Sequence, residues 1–510
     1  MPDAATPELD PVRAVSNLRV EMTGDWYRDP WGWPEYEFLL DGNLGWLTER
    51  VKARELKRVV KIDVPKENFG IRPAVVIEPL DRLLYQSLVD SISEQLIADL
   101  APWVHGWRLP RSSPAAQIYS PNDTEWSLYR RHLKAGALFC DCGLKTDIVS
   151  CFASIPVGRV CEDITRKAGD NDVTARLIRM LQGFDSIQGR AGLAQRSTAS
   201  SVLANMYMER FRYVLNDHAE REESVFQATA GVQPVLRWMD DIWMFGDDEA
   251  QLRSLQVDLQ GATREAGLEL NLGKTKLLAE ESLWEAVSHL EHSAVDAAID
   301  IDPPDITPLE ALLDEIIESP ENADRTSIRF AMTRMRRQQL RTRLDKLVEV
   351  TPRMPHGADH IARAFRDFEI WRTHRDWFLE YVHSSWSKIS WSVAQLGTMF
   401  PSQTQPSDNV KSKFAEFVLD RRDFPLMALA VQRMASWDPA MARDLLHEVV
   451  KVADHPQERR IIALAAVAAG EESDFVRRVL GEYEENRLTL ATLEARGFTS
   501  IPPVPDFGAD

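Results

Sequence analysis

The sequence predicts an α/β domain followed by an all-α one. Three observations carry this. Residues 61 to about 300 alternate short apolar runs with helical stretches. Beyond Asp302-Pro303-Pro304-Asp305, a stretch suited to a linker, the chain reads as almost wholly helical. Between them, Val235-Leu236-Arg237-Trp238-Met239-Asp240-Asp241-Ile242-Trp243-Met244-Phe245 sets two adjacent acids between two apolar runs of strand length. That pattern reads as a β-hairpin with the acid pair at its tip. The expected divisions are an N-terminal extension over 1–60, an α/β domain over 61–300 and a helical domain over 301–510. A chain of 510 residues, 44% hydrophobic and 27% charged, fits a soluble globular protein with room for roughly three or four domains.

The first residues, MPDAATPELDP, are acidic and lack a basic-then-apolar leader, and no run of about 18 apolar residues occurs anywhere. The expectation is a cytoplasmic protein without a membrane span. Trp26, Tyr27, Trp31, Trp33 and Tyr36 then crowd one short stretch. The four cysteines, Cys140, Cys142, Cys151 and Cys161, lack a usual zinc-ligand spacing, which favours buried reduced thiols. In the helical part, Asp438-Pro439 and Pro456 mark helix starts and Gly470 a helix end. Leu445, Leu446, Val449 and Val450 form an apolar stripe. Short antiparallel helices of this kind suggest a bundle or a HEAT-like stack.

With 60 basic and 79 acidic residues the net charge is −19, which argues against a protein that coats nucleic acid non-specifically. A local basic channel stays open. Arg325, Arg329, Arg334, Arg336, Arg337, Arg341, Arg343 and Lys346 face only Asp345 within their own segment. A solvated helix face and a contact surface for a phosphate backbone, centred on Arg334, Arg337 and Arg341, both fit.

Apolar strands beneath exposed carboxylates imply a ligand for those carboxylates, and a divalent cation is the natural one. Upstream, Asp147 closes an apolar run beginning near Ala137, where a strand would give way to a turn and helix. From an adjacent strand it would share metal ions with Asp240 and Asp241. Two magnesium ions so held activate an attacking hydroxyl and hold a triphosphate with its leaving pyrophosphate. Gly246-Asp247-Asp248 is a decoy: Glu249-Ala250-Gln251-Leu252 follows as a helix start, so one of these acids is expected to be an N-cap.

Taken together, these segments resemble a reverse transcriptase over about residues 60–280, in the family's order. Trp238-Met239-Asp240-Asp241 resembles the aromatic-x-Asp-Asp motif, with Trp for the usual Tyr, and Asp147 to Phe152 resembles the first catalytic motif. Gly192-Leu193-Ala194-Gln195-Arg196, Ser200 and Leu203-Ala204-Asn205-Met206-Tyr207 resemble the Gly-x-Pro-Gln-Gly…Ser…Leu-Ala-Asn-x-Tyr segment, with Ala194 for Pro and Arg196 for Gly. Gly267 to Thr275 resembles the next motif, whose lysine, here Lys274, lies near the triphosphate. Val64 to Pro73 resembles the fingers hairpin, with Lys66 and Arg72 clamping the triphosphate. The resemblance implies nucleotide-binding roles for Lys66, Arg72, Phe152, Gln195 and Lys274, and an aromatic Phe152 that favours deoxynucleotides.

A helical C-terminal part of about 200 residues resembles the bacterial abortive-infection and defence-associated reverse transcriptases, the AbiK-like group. That implies DNA synthesis from dNTPs in antiphage defence, a DNA product, and in some members template-free synthesis primed on a tyrosine of the protein. Tyr27, Tyr36, Tyr85, Tyr119, Tyr129, Tyr207, Tyr213, Tyr381 and Tyr483 are the nine available. Other members copy a non-coding RNA, which is the alternative here; a non-catalytic scaffold binding RNA or a partner is the third reading. A helical stack also leads us to expect a homo-oligomer.

Overall fold

The computed structural model describes residues 9–22, 24–43, 59–110, 118–187, 192–226, 233–288, 290–299, 305–421 and 423–503. The starting residues 1–8 and the linker residues Asp302, Pro303 and Pro304 lie outside them. The described residues form two compact units. One takes those of Met1–Gly24 and Asp81–Leu290; the other those of Asp25–Trp46, Arg58–Leu80 and Glu291–Asp510. The units therefore cut across the sequence divisions at 60 and 300.

In chain order the strands are β1 Val60–Pro65, β2 Ile71–Val76, β3 Val104–His105, β4 Cys142–Thr146, β5 Val235–Trp238, β6 Asp241–Gly246 and β7 Lys276–Ala279. The first unit is built on a five-stranded sheet in the order β3-β5-β6-β4-β7. β3 and β5 are parallel, and every other pairing is antiparallel. Ile242, Trp243, Met244 and Phe245 are all buried, so both faces of β6 are covered, which is why its sequence reads as a continuous apolar run. One face meets Tyr129 and Leu133 of the helix Asn122–Phe139 and Leu283 and Val287 of the helix Glu280–Ser288. The contact is close. A Cβ at Gly136 would stand 2.7 Å from the Phe245 ring, and one at Gly143 would stand 2.6 Å from Leu283 Cδ1.

One boundary differs from the sequence expectation. Ala137 belongs to the helix Asn122–Phe139, and the strand that leads to Asp147 begins at Cys142. The run Ala137-Leu138-Phe139 is apolar but ends a helix, with Leu138 68% exposed. A short apolar run does not distinguish strand from helix by itself. All four cysteines are buried and carry free thiols.

The second unit joins the β1–β2 hairpin, paired from Val60↔Val76 to Pro65↔Ile71, to the C-terminal helices. Ile62 and Val64 on β1 are buried, and the strand packs on the helices Ser390–Gly397 and Phe424–Trp437. At the hairpin tip, Phe69 meets Trp386 at 5.6 Å, and Asn68 N–H donates to the Glu321 carbonyl at 2.8 Å. Asp438 caps the helix Pro439–Val449 through Met441 N, and His455 caps Pro456–Ala468, as the sequence punctuation requires. Gly470 follows with φ +74°, a conformation suited to glycine at a helix end. Leu446 and Val449 of the predicted stripe are buried.

Trp26, Tyr27, Trp31, Trp33 and Tyr36 are core residues of this unit. Their anchor is Arg460, fully buried, which donates to both Glu35 carboxylate oxygens at 2.7 and 2.9 Å, pairs with Asp29, and lies over the Trp33 ring at 4.5 Å.

Candidate active site

β5 and β6 pair from Val235↔Met244 to Trp238↔Asp241, leaving Met239 and Asp240 as a two-residue turn. Met239 takes φ +54°, the sign that tight hairpin turns require. On the other side of β6, β4 pairs antiparallel as far as Thr146↔Ile242. The next step in that register sets Asp147 opposite Asp241. Beyond the sheet, Asp147 is held by its carbonyl, which accepts from Asn271 N at 2.8 Å, and by the adjoining Ile148↔Leu270 bridge. Asn271 belongs to the turn that carries Lys274, and Lys274 Nζ reaches Asp147 Oδ2 at 3.4 Å. The structure thus gathers four sequence-predicted residues: Asp147, Asp240, Asp241 and Lys274.

The electrostatics of the tip are those of a site short of positive charge. Burial pushes the Asp241 carboxyl up; Lys145 opposes this, Asp147 adds to it, and Lys274 opposes it again. Asp147 Oδ1 is buried with no hydrogen-bond partner. Such an oxygen is costly unless a ligand completes it. Among the described residues, no three His, Cys, Asp or Glu side chains are placed to hold a metal by themselves. Magnesium fits all the same, because it ordinarily takes one or two protein carboxylates and completes its shell with substrate phosphates and water.

Beneath the turn lies a support that the sequence reading missed. Arg237 is fully buried and donates to Asn205 Oδ1 at 3.0 Å, to the Met239 carbonyl at 3.4 Å and to Glu209 Oε1 at 3.2 Å. Asn205, from the Leu-Ala-Asn-x-Tyr segment, also donates to the Gly106 carbonyl at 3.0 Å. An arginine inside an apolar strand run was the available signal, since arginine is almost never buried unless paired. Trp238 meets Trp126 at 4.9 Å and Trp107 and Tyr129 at 5.7 Å. Burial, then the charges of Asp241 and Asp240, push the Tyr129 phenol well up, so this tyrosine lies beside the acid pair and resists ionisation.

The loop that carries Gln195 is joined to Phe152. Leu193 N–H donates to the Phe152 carbonyl at 2.7 Å, and a Cβ at Gly192, which takes φ +66°, would lie 2.0 Å from that oxygen. Only glycine permits this approach. Phe152 and Gln195 are half-buried, and Arg196 is exposed with φ +57°. The helix Thr198–Met208 that follows is capped from other segments: Thr198 N–H donates to Glu21 Oε2 at 2.6 Å and Ala199 N–H to Gln86 Oε1 at 3.1 Å. Tyr207 hydroxyl donates to the Ala266 carbonyl, which commits it to the scaffold. Asp248 is the expected N-cap, accepting from Ala250 N and Gln251 N.

Lys66 and Arg72 stand on the β1–β2 hairpin of the second unit. Lys66 is half-buried, and Arg72 lies over the Trp26 ring at 5.0 Å. The basic segment after Asp324 is less open than its sequence suggested. Arg334 forks onto Asp296 at 2.6 and 3.0 Å, Arg336 pairs with Asp367, and Arg343 forks onto Asp314 at 2.7 and 2.9 Å. These acids come from other elements. Arg337 and Arg341 are exposed, the latter over Phe368 at 5.5 Å.

A sheet whose hairpin tip and neighbouring strand present three carboxylates beside a lysine defines the class: a polymerase-type nucleotidyltransferase palm. Residues 64–296 match the family described as Reverse transcriptase (RNA-dependent DNA polymerase). That match supports reading this segment as a polymerase of the reverse-transcriptase kind, which generally depends on magnesium. No curated protein matches the chain. Among the described residues, no helix is long and apolar enough to cross a membrane.

Proposed function

We propose that this protein is a DNA polymerase of the reverse-transcriptase type that adds deoxynucleotides at Asp147, Asp240 and Asp241 and acts in antiphage defence. The observation that supports this most is the β4–β6 register, which faces Asp147 with Asp241 and leaves a buried Asp147 oxygen for a ligand. Two bound magnesium ions would supply the activated hydroxyl and the neutralised pyrophosphate. The chain's own residues do the positioning: Arg237 holds the turn, Asn271 holds the Asp147 backbone, and Lys274 offers a charge to the triphosphate. Half-buried Phe152 is the residue we assign to excluding a ribose 2′-hydroxyl.

On architecture we place the protein with the AbiK-like group, its C-terminal helices forming a HEAT-like stack that supports self-association in the cytoplasm. Synthesis is template-independent and starts on the protein. Seven of the nine tyrosines are 6% exposed or less, and Tyr483 spends its hydroxyl on the Asp454 carbonyl. Tyr213, 53% exposed, is the tyrosine best suited to act as primer. A phenol in that role attacks an α-phosphate after losing its proton.

The test is incubation of the purified protein with magnesium and labelled dNTPs, without template or primer, followed by denaturing gels before and after protease and nuclease treatment. Label should migrate with the protein and be released as DNA by protease. Asp147→Asn should lower incorporation by about a thousandfold or more, and Tyr213→Phe should abolish the protein-linked label, which in this assay is the whole product. Incorporation only with added cellular RNA would favour a templated enzyme. No incorporation under either condition, with cellular protection retained in Asp147→Asn, would leave a binding scaffold.

A further inference from the structure

A partly enclosed cavity of about 60 Å³ lies within the second unit, between residues 27–30 and the helices Ser390–Gly397 and Phe424–Trp437. The residues that line it fall outside the segment that matches the reverse-transcriptase family. Pro30, Ala394, Pro425 and Leu429 supply apolar wall. Tyr27, Gln395 and Arg433, all buried, supply polar wall. The Tyr27 ring is held by Phe424 at 4.9 Å and Trp33 at 5.9 Å. Its hydroxyl is buried and has no hydrogen-bond partner among the described residues.

A buried hydroxyl in that state is costly until something completes it. Burial, then the nearby Asp29 carboxylate, hold the phenol well above its ordinary pKa. The group therefore keeps its proton and calls for an acceptor. Asp29 also lines the cavity, but it accepts from Trp31 N at 2.8 Å and pairs with Arg460. Arg433 donates Nε–H to the Phe400 carbonyl at 2.8 Å and bonds the Gln432 side chain, and it brings its positive charge to the wall. A guanidinium and a protonated phenol together favour an acceptor that is itself negative. Asp29 on the same wall makes a second negative charge on the occupant costly, so a carboxylate suits the cavity better than a phosphate dianion. The apolar wall takes a hydrocarbon end. One water needs roughly 10–15 Å³ of such space, so the cavity holds a molecule of only a few non-hydrogen atoms.

We propose that this cavity binds a small monocarboxylate, the Tyr27 hydroxyl donating to its carboxylate, the Arg433 guanidinium supplying the opposite charge and the Gln395 amide standing beside them. The occupant ties residues 27–30 to the two helices. The site needs no polymerisation and stands apart from the reading of the chain as a polymerase.

The test titrates the full-length protein with three probes of similar size, propionate, propionamide and inorganic phosphate, at constant ionic strength. Propionate should bind with a Kd of about a millimolar, and the other two more weakly. Tyr27→Phe keeps the ring and removes only the hydroxyl. It should weaken propionate about tenfold, the strength of one hydrogen bond to a charged group. Gln395→Met, of similar size, should weaken it in the same direction. Without a probe, Tyr27→Phe should melt no lower than wild type, because its hydroxyl holds nothing in the empty protein. A clear fall in that melting temperature would show that the hydroxyl serves the fold and would overturn the site. Absence of propionate binding to wild type would mean a cavity that holds water only and would overturn it too. Wild-type affinity in both variants would place any propionate elsewhere. Propionamide or phosphate bound as tightly as propionate would refute the monocarboxylate.

Discussion

The acid pair of the first unit and the buried ion cluster of the second treat charge in opposite ways. Around Arg460, every partner is internal: Glu35 takes a two-pronged contact, Asp29 a third, and Thr489 hydroxyl donates to Glu35 at 2.7 Å. All three charged side chains are fully buried. At the hairpin tip, Asp147 leaves one buried oxygen without a donor, and burial pushes the Asp241 carboxyl up against two lysines. A charge whose partners are all supplied by the fold serves the fold. A charge left short is kept for something that arrives.

The largest effect expected from this contrast is on activity. Asp240→Asn or Asp241→Asn should reduce dNTP incorporation by about a thousandfold or more while leaving the thermal melting temperature within a few degrees of wild type. A melting temperature that fell sharply would mean that the acids serve the fold and would erase the difference between the two regions. The reverse result is expected at the other cluster. Arg460→Met leaves Asp29 and Glu35 buried without their cation and should cost about 3–5 kcal/mol in denaturant unfolding. Adding Glu35→Leu and Asp29→Asn should recover part of that loss.

An intermediate case sharpens the rule. Arg237 is buried like Arg460, yet one of its partners is the Met239 carbonyl in the turn that carries Asp240. Arg237→Met should lower stability by about 2 kcal/mol, because Asn205 Oδ1 loses its donor and Glu209 is left with Arg212 alone. It should lower kcat more than that loss accounts for, because the turn loses its anchor. Equal incorporation by the folded fraction of the variant would show that Arg237 serves packing alone.

These regions differ also in how far sequence could read them. The tip was legible because its signals are local: two acids between apolar runs, a helix start after Asp247-Asp248, and a motif glycine at 192. Proline and aspartate likewise placed the helix starts at Pro439 and Pro456. What escaped were pairings set by distant segments. Arg460 and Glu35 stand 425 positions apart. The basic run after Asp324 was weighed only against Asp345 of its own segment, while Asp296, Asp314 and Asp367 are its true partners. The hairpin bearing Lys66 and Arg72 buries its apolar face on C-terminal helices, so its grouping with Glu291–Asp510 depends on contacts that no local pattern encodes.

The smallest effect expected is on pH dependence, and it asks whether buried acid in each unit behaves alike when burial outweighs the groups that would keep it charged. Asp90 in the first unit accepts from Tyr119 hydroxyl at 2.7 Å, Gln86 Nε2 at 2.6 Å and Asn17 Nδ2 at 3.0 Å. Burial nonetheless pushes its pKa up to about 6. Asp423 in the second unit caps the helix Phe424–Trp437 through Leu426 N, and burial pushes it up to about 6 as well. A carboxyl whose folded pKa exceeds its unfolded value of about 4 binds its proton more tightly when folded. Its contribution is fully present below about pH 4 and lost as pH rises through 6. Unfolding free energy measured across that window should fall by about 2 kcal/mol for each group. Asp90→Asn and Asp423→Asn should each flatten the curve by their own share, additively, because the two sites share no partner. A curve unchanged by Asp90→Asn would mean that its three donors hold the carboxylate charged, which would make Asp90 a second internally satisfied site like the cluster around Arg460.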